Sequence, residues 1–419
     1  MKYILKILGY LVILFAPIDA FKILGGYFSL YRITVILCFF MIVIDVIKNK
    51  GIIKVYNKYA VRNIVVFGVF NIFCICISDK SPLGISYFLN DSLGLLVILE
   101  FTYIFNNDNK DTLLLTYVKS QFITLGFSVY AICLHFFMGM KLSTSWDFLF
   151  LRFQMSDNSI TLLSQSKSFL PMLFMPYATT LHLDMSVGIA AIICLYFYVK
   201  VRKISYLILG VIFSFLVLLS AQKGPIIAFT VSVIIFMRFY RKKQGIKRTI
   251  SFLMIVFIIV SPIAIGFANE IIQYTILRFR EFGHRISVNE DRHVLLVYEA
   301  IYVWLSEIKN FFIGVGYSGH AMLDGKYTYV PENFLSSLAT LVAERGLLSI
   351  FAIYFYVNPL MFFRKYRNEI YNILIFVLLN FLFYELRYIQ TSWIIYAIIY
   401  CCMNTERKIN EKRGKIWTT

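Results

Sequence analysis

The sequence predicts an all-α, polytopic membrane protein of about 12 transmembrane helices, with a large outer loop that contains an amphipathic helix. Three observations carry this. The 419 residues are 59% hydrophobic and only 15% charged, with a mean hydropathy of +0.74, more apolar surface than a soluble core of this size can bury. Apolar runs of spanning length recur along nearly the whole chain. One stretch, Asn269 to Leu348, is charged and polar within a chain that is otherwise almost wholly apolar.

In chain order, apolar runs fall at about 4–21, 28–47, 59–78, 86–105, 113–139, 181–199, 204–221, 225–237, 249–268, 334–357, 370–387 and 391–404. The eighth is short for a span that needs about 20 residues. Lys2 and Lys6 precede the first run, but Pro17, Asp19 and Lys22 stand where a signal peptidase would need small residues, so the first helix is expected to stay. No long-period repeat or Pro-rich linker divides the chain, and 1–419 reads as one integral membrane domain.

The formal net charge of +18 does not indicate nucleic acid, because the basic residues lie between apolar runs instead of forming one patch. With a cytoplasmic N-terminus, the connections on that side hold 26 of the 41 Lys and Arg residues. The positive-inside bias therefore puts both termini in the cytoplasm. Two long segments, about 140–180 and 269–333, are left on the outer face. Positive charge kept there against the bias suggests a task outside; for Lys22, Lys80, Lys141 and Lys309 a solvated or snorkelling side chain is the simpler reading.

Within the second outer segment, Ser287 and Glu290 have capping-box spacing. Leu295, Tyr298, Ile301, Tyr302, Leu305 and Ile308 then follow on one helical face. This predicts a surface helix of about five turns with Arg292 in its first turn. Arg278, Arg285 and Arg292 are spaced by seven and would share a face if the helix were continuous, which Gly283 opposes.

Chemistry-bearing residues fall in three groups. The outer arginines, Arg278, Arg280, Arg285 and Arg292, present planar forks suited to pyrophosphate or, more simply, to anionic lipid headgroups. Arg292 leads because a helix N-terminus adds free N–H groups. Lys223, in Ser220-Ala221-Gln222-Lys223-Gly224-Pro225, is presented at the outer end of a helix hairpin whose second helix begins at Pro225. Glu332 and Asn333 follow Pro331 at the start of a helix that carries Glu344 about 17 Å deeper, at 1.5 Å per residue. Glu332 is placed to act as a general base, or simply as an acid favoured by the helix dipole. Glu344 needs a cation, either Arg345 or one from another helix. On the first outer segment Arg152, Asp157 and Lys167 could complete a site, though their spacing is not specific.

No P-loop, dinucleotide fingerprint, nucleophile elbow or zinc-protease motif is present. His284, His293 and His320 lack ligand spacing. The seven cysteines lie within or at the end of apolar runs, and Cys74 and Cys76 are too close for a zinc knuckle. Neither a metal nor a cofactor is expected.

The order of these features resembles the bacterial O-antigen polymerase and O-antigen ligase superfamily. The shared pattern is the hairpin turn Ser220 to Lys223, an outer loop with Arg292 opening an amphipathic helix that bears Glu299-Ala300, and the turn Gly314-Val315-Gly316. It continues as Glu332-Asn333-Phe334-Leu335 and Glu344-Arg345-Gly346-Leu347-Leu348, over roughly 205–355. The resemblance implies inverting glycosyl transfer from an undecaprenyl-pyrophosphate-linked oligosaccharide, at the outer face of the bacterial inner membrane, without nucleotide sugar or metal. It implies Glu332, Arg292 and Asn333 as catalytic, Lys223, Arg278, Arg280, Arg285 and Arg152 as substrate-binding, and membrane lipids and a chain-length regulator protein as partners. Lys223 replaces the family's usual arginine, and Glu332 stands where histidine is common, which favours polymerase over ligase. A transporter of lipid-linked glycan remains the reading from a different class; the product, O-antigen of lipopolysaccharide or capsule, is open.

Overall fold

The computed structural model describes residues 1–23, 28–49, 58–78, 82–105, 108–138, 145–148, 151–154, 180–219, 223–244, 292–317, 336–364, 369–384 and 389–416. In chain order the helices are α1 (Lys2–Phe15), α2 (Leu30–Lys48), α3 (Lys58–Ile77), α4 (Pro82–Ile104), α5 (Lys110–Met138), α6 (Thr180–Val201) and α7 (Ile204–Leu219). They continue as α8 (Lys223–Gln244), α9 (Arg292–Leu305), α10 (Ile308–Ile313), α11 (Ser337–Arg345), α12 (Ser349–Arg364), α13 (Glu369–Phe383) and α14 (Gln390–Ile416). Helices coincide with the apolar runs from 4–21 to 225–237 and from 334–357 to 391–404; the run 249–268 lies outside the described residues. Among the described residues five helical segments are long and apolar enough to cross a membrane: Leu30–Lys48, Ala60–Ile77, Gly84–Ile104, His182–Val201 and Ser337–Arg364.

The centre of the bundle is α6 and the first half of α14. Leu183 to Phe197 and Ile389 to Met403 are buried almost without interruption. A helix apolar all round is stable only when surrounded, and α6 packs on α5, α7, α8, α13 and α14. Close approach comes from glycines facing aromatic rings. A Cβ on Gly94 would stand 2.1 Å from the Trp393 ring, one on Gly188 2.5 Å from Phe376, and one on Gly9 2.6 Å from Phe105. Where apolar side chains gain nothing by leaving lipid, such small-against-large packing supplies the contact. The peripheral helices keep their apolar side chains outward: Phe39, Phe40, Val43, Ile44 and Ile47 on α2, and Val65, Val69, Ile72 and Phe73 on α3, are exposed, as lipid contact requires.

Polar contacts pin the two ends of the bundle. At one end Lys6 reaches Asp108 at 2.7 Å, Lys200 pairs with Asp111, and Cys401 lies within electrostatic reach of Asp108, so the start of α1 and the Cys401 turn of α14 share that end. At the other lie Asp19, the start of α2 and a small antiparallel sheet. There β1 (Lys22–Ile23) pairs with β3 (Leu151–Gln154), which pairs with β2 (Ser145–Phe148). Residues 145–148 and 151–154 are thus tied to the connection between α1 and α2.

Two expectations are corrected. The run 334–357 is not one helix: α11 ends at Arg345, a 3-10 turn spans Gly346–Leu348, and α12 begins at Ser349. The surface helix is likewise broken. α9 stops at Leu305 and α10 starts at Ile308, the two being clamped together by Trp304 Nε1 donating to the Phe311 carbonyl at 3.0 Å and by Asn310 donating to the Val303 carbonyl. Ser287 and Glu290 lie outside the described residues. The outer face of this pair is apolar and exposed (Val297, Ile301, Tyr302, Leu305, Ile308, Phe312), while Ala300 and Val303 pack on Ala339 and Ala343 of α11.

Candidate functional site

The break after α11 exists because of what surrounds it. The last carbonyls of a helix lack intrahelical partners, and here the turn after α10 supplies them. The Val315 N–H donates to the Ala343 carbonyl at 3.1 Å, and the Gly316 N–H to the Glu344 carbonyl at 2.9 Å. Gly314, Gly316 and Gly346 hold φ of +74°, +80° and +54°, the left-handed region in which side chains are strained. A Cβ at Gly314 would come within 2.2 Å of the Glu344 backbone, and one at Gly346 within 2.6 Å of the Phe311 carbonyl. The segments 314–316 and 344–346, both singled out in the sequence, therefore interlock backbone to backbone.

The interlock delivers a buried polar cluster. Tyr317, next after the glycine turn, donates its hydroxyl to Asp91 Oδ2 at 2.7 Å. Arg345, last residue of α11, places Nη2 3.0 Å from the same oxygen, 2.8 Å from Asn71 Oδ1 and 2.9 Å from the Tyr317 hydroxyl. Its guanidinium carbon lies 5.2 Å from the Phe67 ring centre and 5.3 Å from that of Tyr317, within cation–π range. Arg345 and Asp91 each keep only 2% of their side-chain surface exposed. α3, α4, α11 and the turn are thus joined by one charge pair, and a buried charge of this kind is tolerable only when paired and hydrogen-bonded.

Two sequence-predicted residues head helices: Arg292 begins α9, and Lys223 begins α8. α9, through α10, and α11 both lead to the glycine turn, so Arg292 and Ser337 stand at the ends away from it. Phe229 of α8 meets Phe376 of α13 edge-on at 6.1 Å, and the α13 terminus receives α11: Ser337 donates through N–H and hydroxyl to the Tyr384 carbonyl, at 3.0 and 2.8 Å. The head of α11 therefore sits against the end of α13. Glu332, Asn333, Arg278, Arg280 and Arg285 lie outside the described residues. Glu344 is fully buried, and the ion pair described for Arg345 goes to Asp91.

Arg152 sits on β3, exposed, opposite Lys22 of β1 on one side and Asp147 of β2 on the other. Lys22 is not a freely solvated lysine: Nζ donates to the Asp19 carbonyl at 2.5 Å and lies 3.5 Å from its carboxylate. Asp19 also accepts from Ser29 Oγ at 2.5 Å and meets Arg32 Nε at 3.4 Å, and Arg32 Nη2 reaches Asn90 Oδ1 at 3.2 Å. Burial pushes the Asp19 carboxyl up, but Lys22, Arg32 and the Ser29 hydroxyl outweigh it and hold it below its ordinary value. Burial lowers Lys22, with Asp19 opposing the shift and Arg32 adding to it.

Asn71, Asp91, Tyr317, Asp19 and Arg32 escaped the sequence reading. For Asp91 and Arg32 a signal existed: each is a charge inside or at the edge of an apolar run, a position that marks function or pairing. Among the described residues no three His, Cys, Asp or Glu side chains gather as a metal site. No family model matches the chain and no curated protein matches it in sequence, so the resemblance to the O-antigen polymerase and ligase superfamily rests on the order of its motifs.

Proposed function

We propose that the protein is a repeat-unit polymerase of the bacterial inner membrane, with about 12 spans, both termini in the cytoplasm and the active site on the outer face. The supporting observation is the interlock of residues 314–316 with 344–346. It makes one unit of two motif segments, with Arg292 at the head of one helix and the segment bearing Glu332 and Asn333 leading to the other. In this reading Arg292, with Lys223, Arg278, Arg280 and Arg285, binds the pyrophosphate of an undecaprenyl-linked glycan and stabilises the charge on the departing pyrophosphate. Glu332, assisted by Asn333, takes the proton from the acceptor's sugar hydroxyl as its oxygen attacks the anomeric carbon. The sugar–phosphate bond breaks with inversion, and undecaprenyl pyrophosphate leaves. Arg152 contributes from the first outer segment, membrane lipids surround the site, and a chain-length regulator protein is the expected partner.

One observation favours a transporter of the same lipid-linked glycan. α11 and α12 form a broken helix with a buried arginine at the break, a device that transporters use at substrate sites. Gene deletion separates the readings. Loss of a polymerase leaves single repeats displayed outside, whereas loss of a flippase leaves them facing the cytoplasm, which would overturn the polymerase. A ligase is the third reading, and accumulation of long polymer on the lipid carrier in the deletion strain would favour it.

A further inference from the structure

Glu100 lies near the end of α4, inside the membrane-spanning segment Gly84–Ile104, with 1% of its surface exposed. Neither Oε1 nor Oε2 accepts a hydrogen bond. Asp91, further up the same helix, has Arg345 at 3.0 Å; among the described residues no cation pairs with Glu100. Its polar neighbours come from α2. The Cys38 thiol lies beside the carboxyl, and Tyr31 is within electrostatic reach, its own hydroxyl buried without a hydrogen-bond partner. The other helices packed on α4 are α1, α3 and α14. On them Tyr10 lies by Phe105 and Asp108, Cys74 donates to the Glu344 carbonyl, and Tyr396 and Tyr400 donate to carbonyls of α12; none of these reaches Glu100.

A carboxylate taken out of water with neither a cation nor hydrogen-bond donors is too costly to keep, and such a group stays neutral by holding a proton. We propose that Glu100, flanked by Cys38 and Tyr31, is a proton-binding site in the membrane part of the bundle, exchanging its proton through Tyr103 and Asp45. A metal ion does not fit: hard cations gather several oxygens, whereas this carboxyl is met by a thiol and a phenol. Tyr31, Cys38 and Asp45 are spaced by seven on α2 and all are buried, so they share one face. Glu100 and Tyr103, three apart, share a face of α4, and the Tyr103 hydroxyl donates to Asp45 Oδ2 at 2.7 Å. Tyr103 is in the last turn of α4, so this polar line leads to the end of the bundle marked by Lys6 and Asp108. Exchange consumes no other reactant: the Glu100 proton passes to the Tyr103 oxygen as the Tyr103 proton passes to the Asp45 carboxylate. The site is independent of the polymerase reading, which uses none of these residues.

The test is infrared spectroscopy of the full chain in lipid nanodiscs at neutral pH. Subtracting the spectrum of Glu100→Gln from that of wild type should isolate one protonated carboxylic acid C=O band, with no carboxylate band lost. The amide has the shape of the neutral acid, so this variant should keep the wild-type thermal midpoint. Should it fail to fold, Glu100→Asp serves instead: it keeps an acid band but moves its frequency, and Cys38→Ala moves the wild-type band as well. In heavy water the wild-type band should shift to lower frequency as the proton is replaced, and Tyr103→Phe should slow that shift without removing the band. Loss of carboxylate bands in Glu100→Gln, or an acid band indifferent to Glu100→Asp, overturns the site. A wild-type band that ignores heavy water, or one that exchanges as fast in Tyr103→Phe, overturns the route.

Discussion

Arg345 and Asp91, 254 residues apart in the chain, meet with 3.0 Å between Nη2 and Oδ2 in the interior of the bundle. The turn bearing Tyr317 docks on that pair, and α11 ends at it. Breaking one side should leave a buried, uncompensated charge, costing about 3–5 kcal/mol. Arg345→Ala and Asp91→Asn should therefore each lower the unfolding midpoint in detergent sharply. The double change Arg345→Met with Asp91→Leu should recover most of the loss, because apolar residues of similar volume replace buried ion pairs at little cost.

The glycine turns give a graded prediction. Gly314→Ala and Gly346→Ala each place a Cβ inside van der Waals contact with backbone and at positive φ, so both should reduce folded yield and polymer formation together. Gly126 is the control. It lies within α5 with nothing within 4 Å of an added Cβ, and Gly126→Ala should leave stability unchanged or raise it by about 0.5–1 kcal/mol through helix propensity. Size-exclusion recovery and thermal melts of the three variants check the ordering.

How much of this was readable beforehand depends on which kind of order is asked for. Helix placement was legible, because apolar runs and their basic boundaries are local signals: α6 and α14 fall where 181–199 and 391–404 stood out. The break at Gly346 was visible as Glu344-Arg345-Gly346 but not as a break, since Phe334 to Val357 is otherwise largely apolar and the carbonyl partners come from a turn 28 residues earlier. Nor does any local pattern say that Arg345 pairs with Asp91. The tie between Lys22 and Arg152 rests on strands of two and four residues separated by four helices, too short to leave a periodicity. The motifs in 314–316 and 344–346 were legible as residues, and only the fold makes them one object.

Acid should loosen the Asp19 corner. Its carboxyl is held below the ordinary value in the folded protein, so it binds protons less readily there than in the unfolded chain. The stabilisation is complete above the ordinary carboxylate range and is lost as pH falls through the depressed folded value. Thermal midpoints measured downward from neutral pH should fall more steeply for wild type than for Asp19→Asn, which lacks the group and starts lower. Parallel curves would show that Asp19 contributes nothing.

Packing of aromatic rings on glycine makes a separate test of the membrane core. Gly94→Ala drives a methyl into the Trp393 ring, with 2.1 Å available, and overpacking of this kind costs about 1–3 kcal/mol. Combining it with Trp393→Phe, which draws the ring back, should restore part of the midpoint, whereas Trp393→Phe alone leaves a cavity and lowers it. Additive losses in the double variant would mean the two residues are not in contact.

Arg292 and Glu332 are proposed to act on one pyrophosphate-linked sugar. In a deletion strain complemented with Arg292→Ala or Glu332→Ala, each checked for normal membrane insertion, the glycan gel should show its ladder of chain lengths collapsed to single repeats. A full ladder from either inserted variant contradicts the assignment.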